Sequence, residues 1–143
     1  MSNQLYQQTV LKHNRDPRNF GEIDDCSHHA EGFNPLCGDE VKVFLQVEGD
    51  ELKDLKFTGK GCAVSQASAS IMTEALKGKK LSEVQVQYED FIKMASGEKL
   101  NPSGEIAAFA GISQFPSRVK CAVLAWKTFN AAIAGADNTI STE

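Results

Sequence analysis

Apolar and polar residues alternate most regularly in the first half of the chain. Val41, Val43, Leu45 and Val47 are interleaved with Lys42, Gln46 and Glu48, and Leu55 and Phe57 with Asp54 and Lys56. A period of two predicts half-buried strands, and the Gly49-Asp50 turn signal between the runs joins them as an antiparallel hairpin. Elsewhere the period lengthens to that of a helix. Leu5, Val10 and Leu11 mark a short amphipathic helix over 5–14, which Asp16-Pro17 ends because a residue before proline is pushed out of the helical region. Ser68, Ile71, Met72, Ala75 and Leu76 mark a second helix from about Val64 to a stop at Gly78, and a third spans Leu81 to Ala95. A connector containing Gly97, Pro102 and Gly104 leads to a shorter helix over 105–110. After Phe115-Pro116, with proline suited to a first helical turn, Val119, Ala122, Val123, Trp126, Phe129 and Ile133 predict a long amphipathic helix ending near Gly135. Residues 1–135 read as one domain and 136–143 as a disordered tail.

The length of 143 residues suits one domain with its own core and is short for two. With 15 basic and 19 acidic residues and a net charge of -4, the chain offers no electrostatic partner to nucleic acid or to an anionic membrane. Residues 1–16 have no apolar core of signal-peptide length, and no later run approaches the roughly 20 apolar residues of a membrane span. A cytoplasmic location is expected. Thiols stay reduced there, so the four cysteines are candidates for metal ligands, reactive thiols or buried apolar residues.

Three of them have suggestive surroundings: Cys37 in Asn34-Pro35-Leu36-Cys37-Gly38-Asp39, Cys62 in Gly59-Lys60-Gly61-Cys62-Ala63-Val64-Ser65, and Cys121 in Arg118-Val119-Lys120-Cys121. The hairpin brings Asp39, just before its first strand, and Cys62, just after its second, to one end of the sheet, with Cys37 two residues further out. Cys62 would open a helix, where unpaired N–H groups and the positive end of the dipole favour a thiolate. Cys121 falls in the first turns of the last helix. Three sulfurs and the Asp39 carboxylate make a tetrahedral set suited to zinc or to one edge of an iron–sulfur cluster. Against this, a single cysteine is more often a small buried apolar residue than a ligand, and the chain has no C-x-x-C pair. Spacing alone leaves both readings open.

The segments Asn34-Pro35-Leu36-Cys37-Gly38-Asp39, 59–72 and 118–126, together with 5–21, resemble the iron–sulfur assembly proteins of the IscU and NifU N-terminal superfamily, most nearly its SufU branch. The resemblance runs from about Leu5 to Ala134. Two IscU features are missing: a histidine directly before the third cysteine, where this chain has Lys120, and a Leu-Pro-Pro-Val-Lys docking motif, where it reads Phe115-Pro116-Ser117-Arg118-Val119-Lys120. Extra sequence around 95–113 is SufU-like as well.

The resemblance implies an α+β fold, a small antiparallel sheet against a layer of helices, with a metal held at one end by Cys37, Asp39, Cys62 and Cys121. It implies Zn²⁺, or alternatively iron or a [2Fe–2S] cluster on Cys37, Cys62 and Cys121, and a pyridoxal-phosphate (PLP) cysteine desulfurase of the SufS type as partner. Sulfur taken from the desulfurase persulfide would pass to a downstream scaffold or apoprotein. The other functions in view are a scaffold that assembles and hands on the cluster, and a structural zinc module that only binds partners. Cys37, in a Gly-flanked loop, is the expected sulfur acceptor, with Cys121 second. Arg118, three residues before Cys121, is expected on that ligand's face as a charge partner or desulfurase contact. Lys120 is expected outside the ligand set because an ammonium does not coordinate. Cys26 is an outside candidate to replace Asp39. His28 and His29, adjacent and so on opposite faces of a strand, are expected as surface or strand-edge residues. The small residues of Ser65 to Ser70 read as tight helix packing, since no base partner for a catalytic serine is identifiable.

Overall fold

The computed structural model describes residues 3–102, 104–135 and 139–141. In chain order the elements are α1 (Asn3–Arg15), β1 (His28–Asn34), β2 (Asp39–Glu48), β3 (Glu51–Lys60), α2 (Ala63–Leu76), α3 (Leu81–Ala95), 3-10 turns over Gly104–Phe109 and Ile112–Gln114, α4 (Pro116–Ile133) and β4 (Thr139–Ser141). The alternating runs form the expected hairpin, with Val43 opposite Phe57 and Leu45 opposite Leu55. The strand order is β3-β2-β1-β4, antiparallel except for the short parallel pairing of β4 with β1.

β1 has no counterpart among the predicted elements. Its inward positions are Ala30, Gly32 and Asn34, two small and one polar, so it lacks the apolar alternation that marks β2. The tail expected to be disordered supplies β4; residues 136–138 and 142–143 lie outside the described residues. The expected helix at 105–110 is instead 3-10 and begins at Gly104. A six-residue run bounded by Gly104 and Gly111, both at positive φ, is short enough for the tighter winding.

The core lies between one face of the sheet and the helices. Ala30, Val43 and Phe57 form one row across that face, and α2 and α4 pack against it and against each other. Trp126 of α4 is fully buried, stacked on Phe91 of α3 with ring centres 4.1 Å apart and planes within 7°. Its Nε1–H donates to Ser68 Oγ, and the Ser68 hydroxyl donates to the Ala122 carbonyl, which ties α2 to α4. Ser65, Ser68 and Ser70 are all buried, in keeping with the packing role expected of that run.

The inward face of α1 differs from the expected one. Leu5 and Leu11 are exposed, and the buried residues are Tyr6, Thr9, Val10 and His13, a stripe at the same helical spacing with two polar members. His13 is wholly buried, its Nδ1 2.6 Å from Ser70 Oγ and its Nε2 2.9 Å from Glu105 Oε2. Lys12 also reaches Glu105, at 3.2 Å. Burial works against the Glu105 carboxylate, but the hydrogen bonds from His13 and Lys12 outweigh it and hold its pKa below the usual value. A depressed carboxyl pKa contributes stability that is present above the unfolded-state value and lost as pH falls through the folded one. Glu105→Gln is therefore expected to reduce the urea midpoint at pH 7 and to have progressively less effect towards pH 3. An equal shift at both pH values would contradict this.

Candidate metal centre

Asn34 ends β1 and Asp39 begins β2, and the two are partners in register. The turn between them carries Cys37 past the end of the sheet, with Gly38 at φ +71. Two residues beyond β3, Cys62 caps α2, its sulfur 3.5 Å from the Ser65 N–H. Cys121 stands in the second turn of α4, whose N-terminus points back to the same end of the sheet. Three segments far apart in the chain, the 34–39 turn, the start of α2 and the start of α4, thus meet at one corner.

Ligand-type atoms of Cys37, Asp39 and Cys121 lie within 4.8 Å of one another. Cys37 Sγ and Cys121 Sγ are 3.4 Å apart, and Cys62 Sγ lies 3.8 Å from Asp39 Oδ2. Around a tetrahedral zinc, sulfur–sulfur and sulfur–oxygen edges come to about 3.5–3.8 Å, from bond lengths near 2.3 and 2.0 Å. The donor chemistry and these two separations fit such an ion, while Cys62 touches the set through Asp39 and lies outside the group of three whose ligand atoms are all mutually within 4.8 Å. Asp39 is fixed from its other oxygen, since Oδ1 accepts from the Cys62 main-chain N–H at 2.7 Å. It is 1% exposed, Cys121 is buried, Cys62 half-buried and Cys37 exposed.

The helix start does not lower the Cys62 pKa in the metal-free protein. Burial pushes this thiol up, and the N–H groups of Ser65 and Val64, which favour the thiolate, do not recover the loss. Desolvation of a half-buried sulfur beside a carboxylate wins over the dipole. Burial also raises the Cys121 pKa, reinforced by Asp39, Cys37 and Cys62 around it. Thiolates crowded beside a carboxylate repel one another, and a divalent cation at their centre reverses that balance.

Around this corner lie three residues that pattern reading passed over or left undecided. Arg118 is held by aromatic faces: its Cζ is 5.7 Å from the Tyr6 ring centre and 4.8 Å from that of Phe115. The Tyr6 hydroxyl is buried and without a hydrogen-bond partner among the described residues, and burial raises its pKa against the lowering influence of Arg118. Asn34 is fully buried, with its amide 3.1 Å from Asp39 Oδ2 and 3.4 Å from Cys121 Sγ. The available signal for Asn34 was its place five residues before Asp39, across a tight turn.

Cys26 stands at the other end of β1, about 20 Å along the strand from Asn34, and is not brought to the corner. His28 and His29 open β1, where they pair with Leu45 and Phe44 of β2; His28 is half-buried and His29 exposed. Lys120 is half-buried and precedes Cys121 in α4. His13, Glu74 and Glu105 form a second close group, but His13 Nε2 already bonds Glu105 and Lys12 already meets that carboxylate.

Gly61 is the tightest point of the corner. Its φ is +148, and a Cβ there would come within 2.8 Å of the Asp39 Cα and closer still to Oδ1. Gly61→Ala is expected to cost about 1–3 kcal/mol, from backbone strain and displacement of Asp39. Urea unfolding of the metal-free proteins measures it, and coincident curves would refute the close approach.

The family described as NifU-like N terminal domain matches residues 5–139. The chain is 40% identical over 133 residues to the zinc-dependent sulfurtransferase SufU of Bacillus subtilis, covering 91% of this chain and 90% of that protein. It is 37% identical over 131 residues to the iron–sulfur cluster assembly scaffold protein IscU of Thermotoga maritima, covering 90% and 92%. A solved structure of a candidate iron–sulfur cluster assembly scaffold protein for the SUF system, from Fervidobacterium islandicum, superposes with a TM-score of 0.84 at 33% identity, covering 93% of this chain and 99% of that one. Among the described residues no helix is long and apolar enough to cross a membrane.

Proposed function

Because this chain belongs to the NifU-like N terminal domain family, we propose that it serves iron–sulfur cluster biogenesis as a zinc-holding sulfur acceptor. Cys37, Asp39, Cys62 and Cys121 would hold the ion. When bound, zinc keeps three thiols deprotonated at neutral pH and lowers the mutual repulsion of the set. A pyridoxal-phosphate cysteine desulfurase would supply the sulfur, and a downstream scaffold or apoprotein would receive it. Thiols that must stay reduced to act fit the reducing cytoplasm.

The observation that carries this reading is the graded exposure of the three sulfurs. Cys37 is exposed in a turn at the sheet's end, Cys62 is half-buried and Cys121 buried. A persulfide on a partner's cysteine can be approached only by a sulfur that reaches solvent. In the transfer, the Cys37 thiolate attacks the outer sulfur of the desulfurase persulfide, a new S–S bond forms on Cys37, and the bond to the desulfurase sulfur breaks. The desulfurase cysteine leaves as a thiolate, and no outside oxidant or reductant is needed. Asp39 and Cys121 keep the turn's base anchored while Cys37 moves.

Mass spectrometry after incubation with the desulfurase and cysteine tests this. The expected result is an added sulfur mass on the peptide bearing Cys37, in a colourless protein with one zinc per chain. An extra mass confined to Cys62 or Cys121 would refute the acceptor assignment. The second reading is a scaffold, favoured by the 37% identity to a protein named as one. It predicts broad visible absorbance after anaerobic loading with iron and sulfide.

A further inference from the structure

Asn34 is an unusual residue to find facing inward. The other inward positions of β1 are Ala30 and Gly32, and its own site is fully closed to solvent. Its Nδ2 lies 3.1 Å from Asp39 Oδ2 and 3.4 Å from Cys121 Sγ, so both of its N–H bonds have acceptors. Its main-chain oxygen accepts from the Cys37 N–H at 3.3 Å. One residue therefore touches three of the four candidate ligands, and each by a hydrogen bond.

The other end of the amide is unsatisfied, since Oδ1 is buried without a donor among the described residues. A buried acceptor of this kind is destabilising, and an apolar side chain of the same size would avoid it. Rotating the amide would be worse, because two acceptors, Asn34 Oδ1 and Asp39 Oδ2, would then face each other and both N–H groups would lose their partners. The orientation is thus fixed by the carboxylate and the sulfur. An N–H donated to a coordinating carboxylate and to a coordinating sulfur sets their direction and favours their charged forms, as partners one bond removed from an ion do elsewhere.

We propose that Asn34 is a positioning residue of the metal centre, whose amide aims Asp39 Oδ2 and Cys121 Sγ at a shared ion. The inference rests on the zinc reading above. Its test is a zinc competition titration against a chelator of known affinity, with wild type, Asn34→Leu, Asn34→Ala, Asp39→Ala and the double variant Asn34→Leu/Asp39→Ala. The leucine variant fills the space and removes both donors, so it keeps the answer readable if the alanine variant folds poorly. Circular dichroism of the metal-free proteins checks that each is folded.

Asn34→Leu is expected to bind zinc about 10–100-fold more weakly than wild type. In the Asp39→Ala background the same change is expected to cost clearly less, because one of its two acceptors is gone. Zinc binding by Asn34→Leu equal to wild type would overturn the proposal, as would losses that simply add in the double variant. Failure of the wild type itself to bind zinc would overturn both this proposal and the reading beneath it, so the two failures are told apart by the wild-type titration alone.

Discussion

Replacing Cys37 with serine is expected to return the desulfurase to the turnover it has without this protein. The hydroxyl that results is not ionised at neutral pH and does not attack a persulfide, whereas the thiolate is the nucleophile of sulfur exchange. The proposal of Cys37, among the three, rests on position. It stands on the turn between Asn34 and Asp39, in front of Gly38, where even an added Cβ would meet nothing within 4 Å. Cys62 caps α2, and Cys121 is embedded in α4. The side chain is on the surface, so the metal-free variant should unfold within about 0.5 kcal/mol of wild type. Loss of stimulation in a folded protein that still carries one zinc per chain would then be chemical in origin. Full stimulation by Cys37→Ser would remove Cys37 from the mechanism and shift attention to Cys121.

Trp126→Ala should give the largest loss of stability. Trp126 is fully buried, stacks on Phe91 and donates to Ser68 Oγ, so its truncation leaves a cavity and breaks a cross-link between α2 and α4. Such truncations cost about 3–5 kcal/mol, which for a chain of this size lowers the melting temperature by about 10–20 °C. The site should feel it too. α4 carries Cys121 and α2 carries Cys62 at its cap, and the Ser68 bond to the Ala122 carbonyl sits next to Cys121. Looser packing between the helices should therefore weaken zinc retention at temperatures where the variant is still folded. A melting temperature within about 5 °C of wild type would contradict this account of the core.

Elements with a strong period were legible from residue pattern alone. The β2–β3 hairpin, α2, α3 and α4 each place four or more apolar residues at one spacing, and α3 runs over the predicted Leu81 to Ala95. The weak points share a physical cause. β1 turns Ala30, Gly32 and Asn34 inward, so the strand that completes the corner has no apolar signature. On α1 the buried stripe includes Thr9 and His13, whose polar atoms find partners only after folding, His13 with Ser70 and Glu105 at 57 and 92 residues' remove. Leu5 and Leu11 were the louder signal and are the exposed residues. No local rule reveals such long-range pairs.

The corner itself divides in the same way. The hairpin predicts that Asp39 and Cys62 share an end of the sheet, and the bond from the Cys62 N–H to Asp39 shows them touching. That Cys121 would come within 3.4 Å of Cys37 follows from how α4 crosses the sheet, which the residue pattern does not encode and the family resemblance implied. The expected depression of the Cys62 pKa failed because a helix start was weighed without the burial that accompanies it. Asn34 lay inside the motif that flagged Cys37 and was read only as its flank.

On the reading proposed above, Cys37, Asp39, Cys62 and Cys121 bind a single zinc ion. Anomalous diffraction at the zinc edge, from crystals of the protein as purified, addresses it directly. One strong peak per chain is expected, with three sulfurs at about 2.3 Å and an Asp39 oxygen at about 2.0 Å. A peak beside His13 and Glu105 instead, or a fully reduced protein with no peak at this corner, would contradict it.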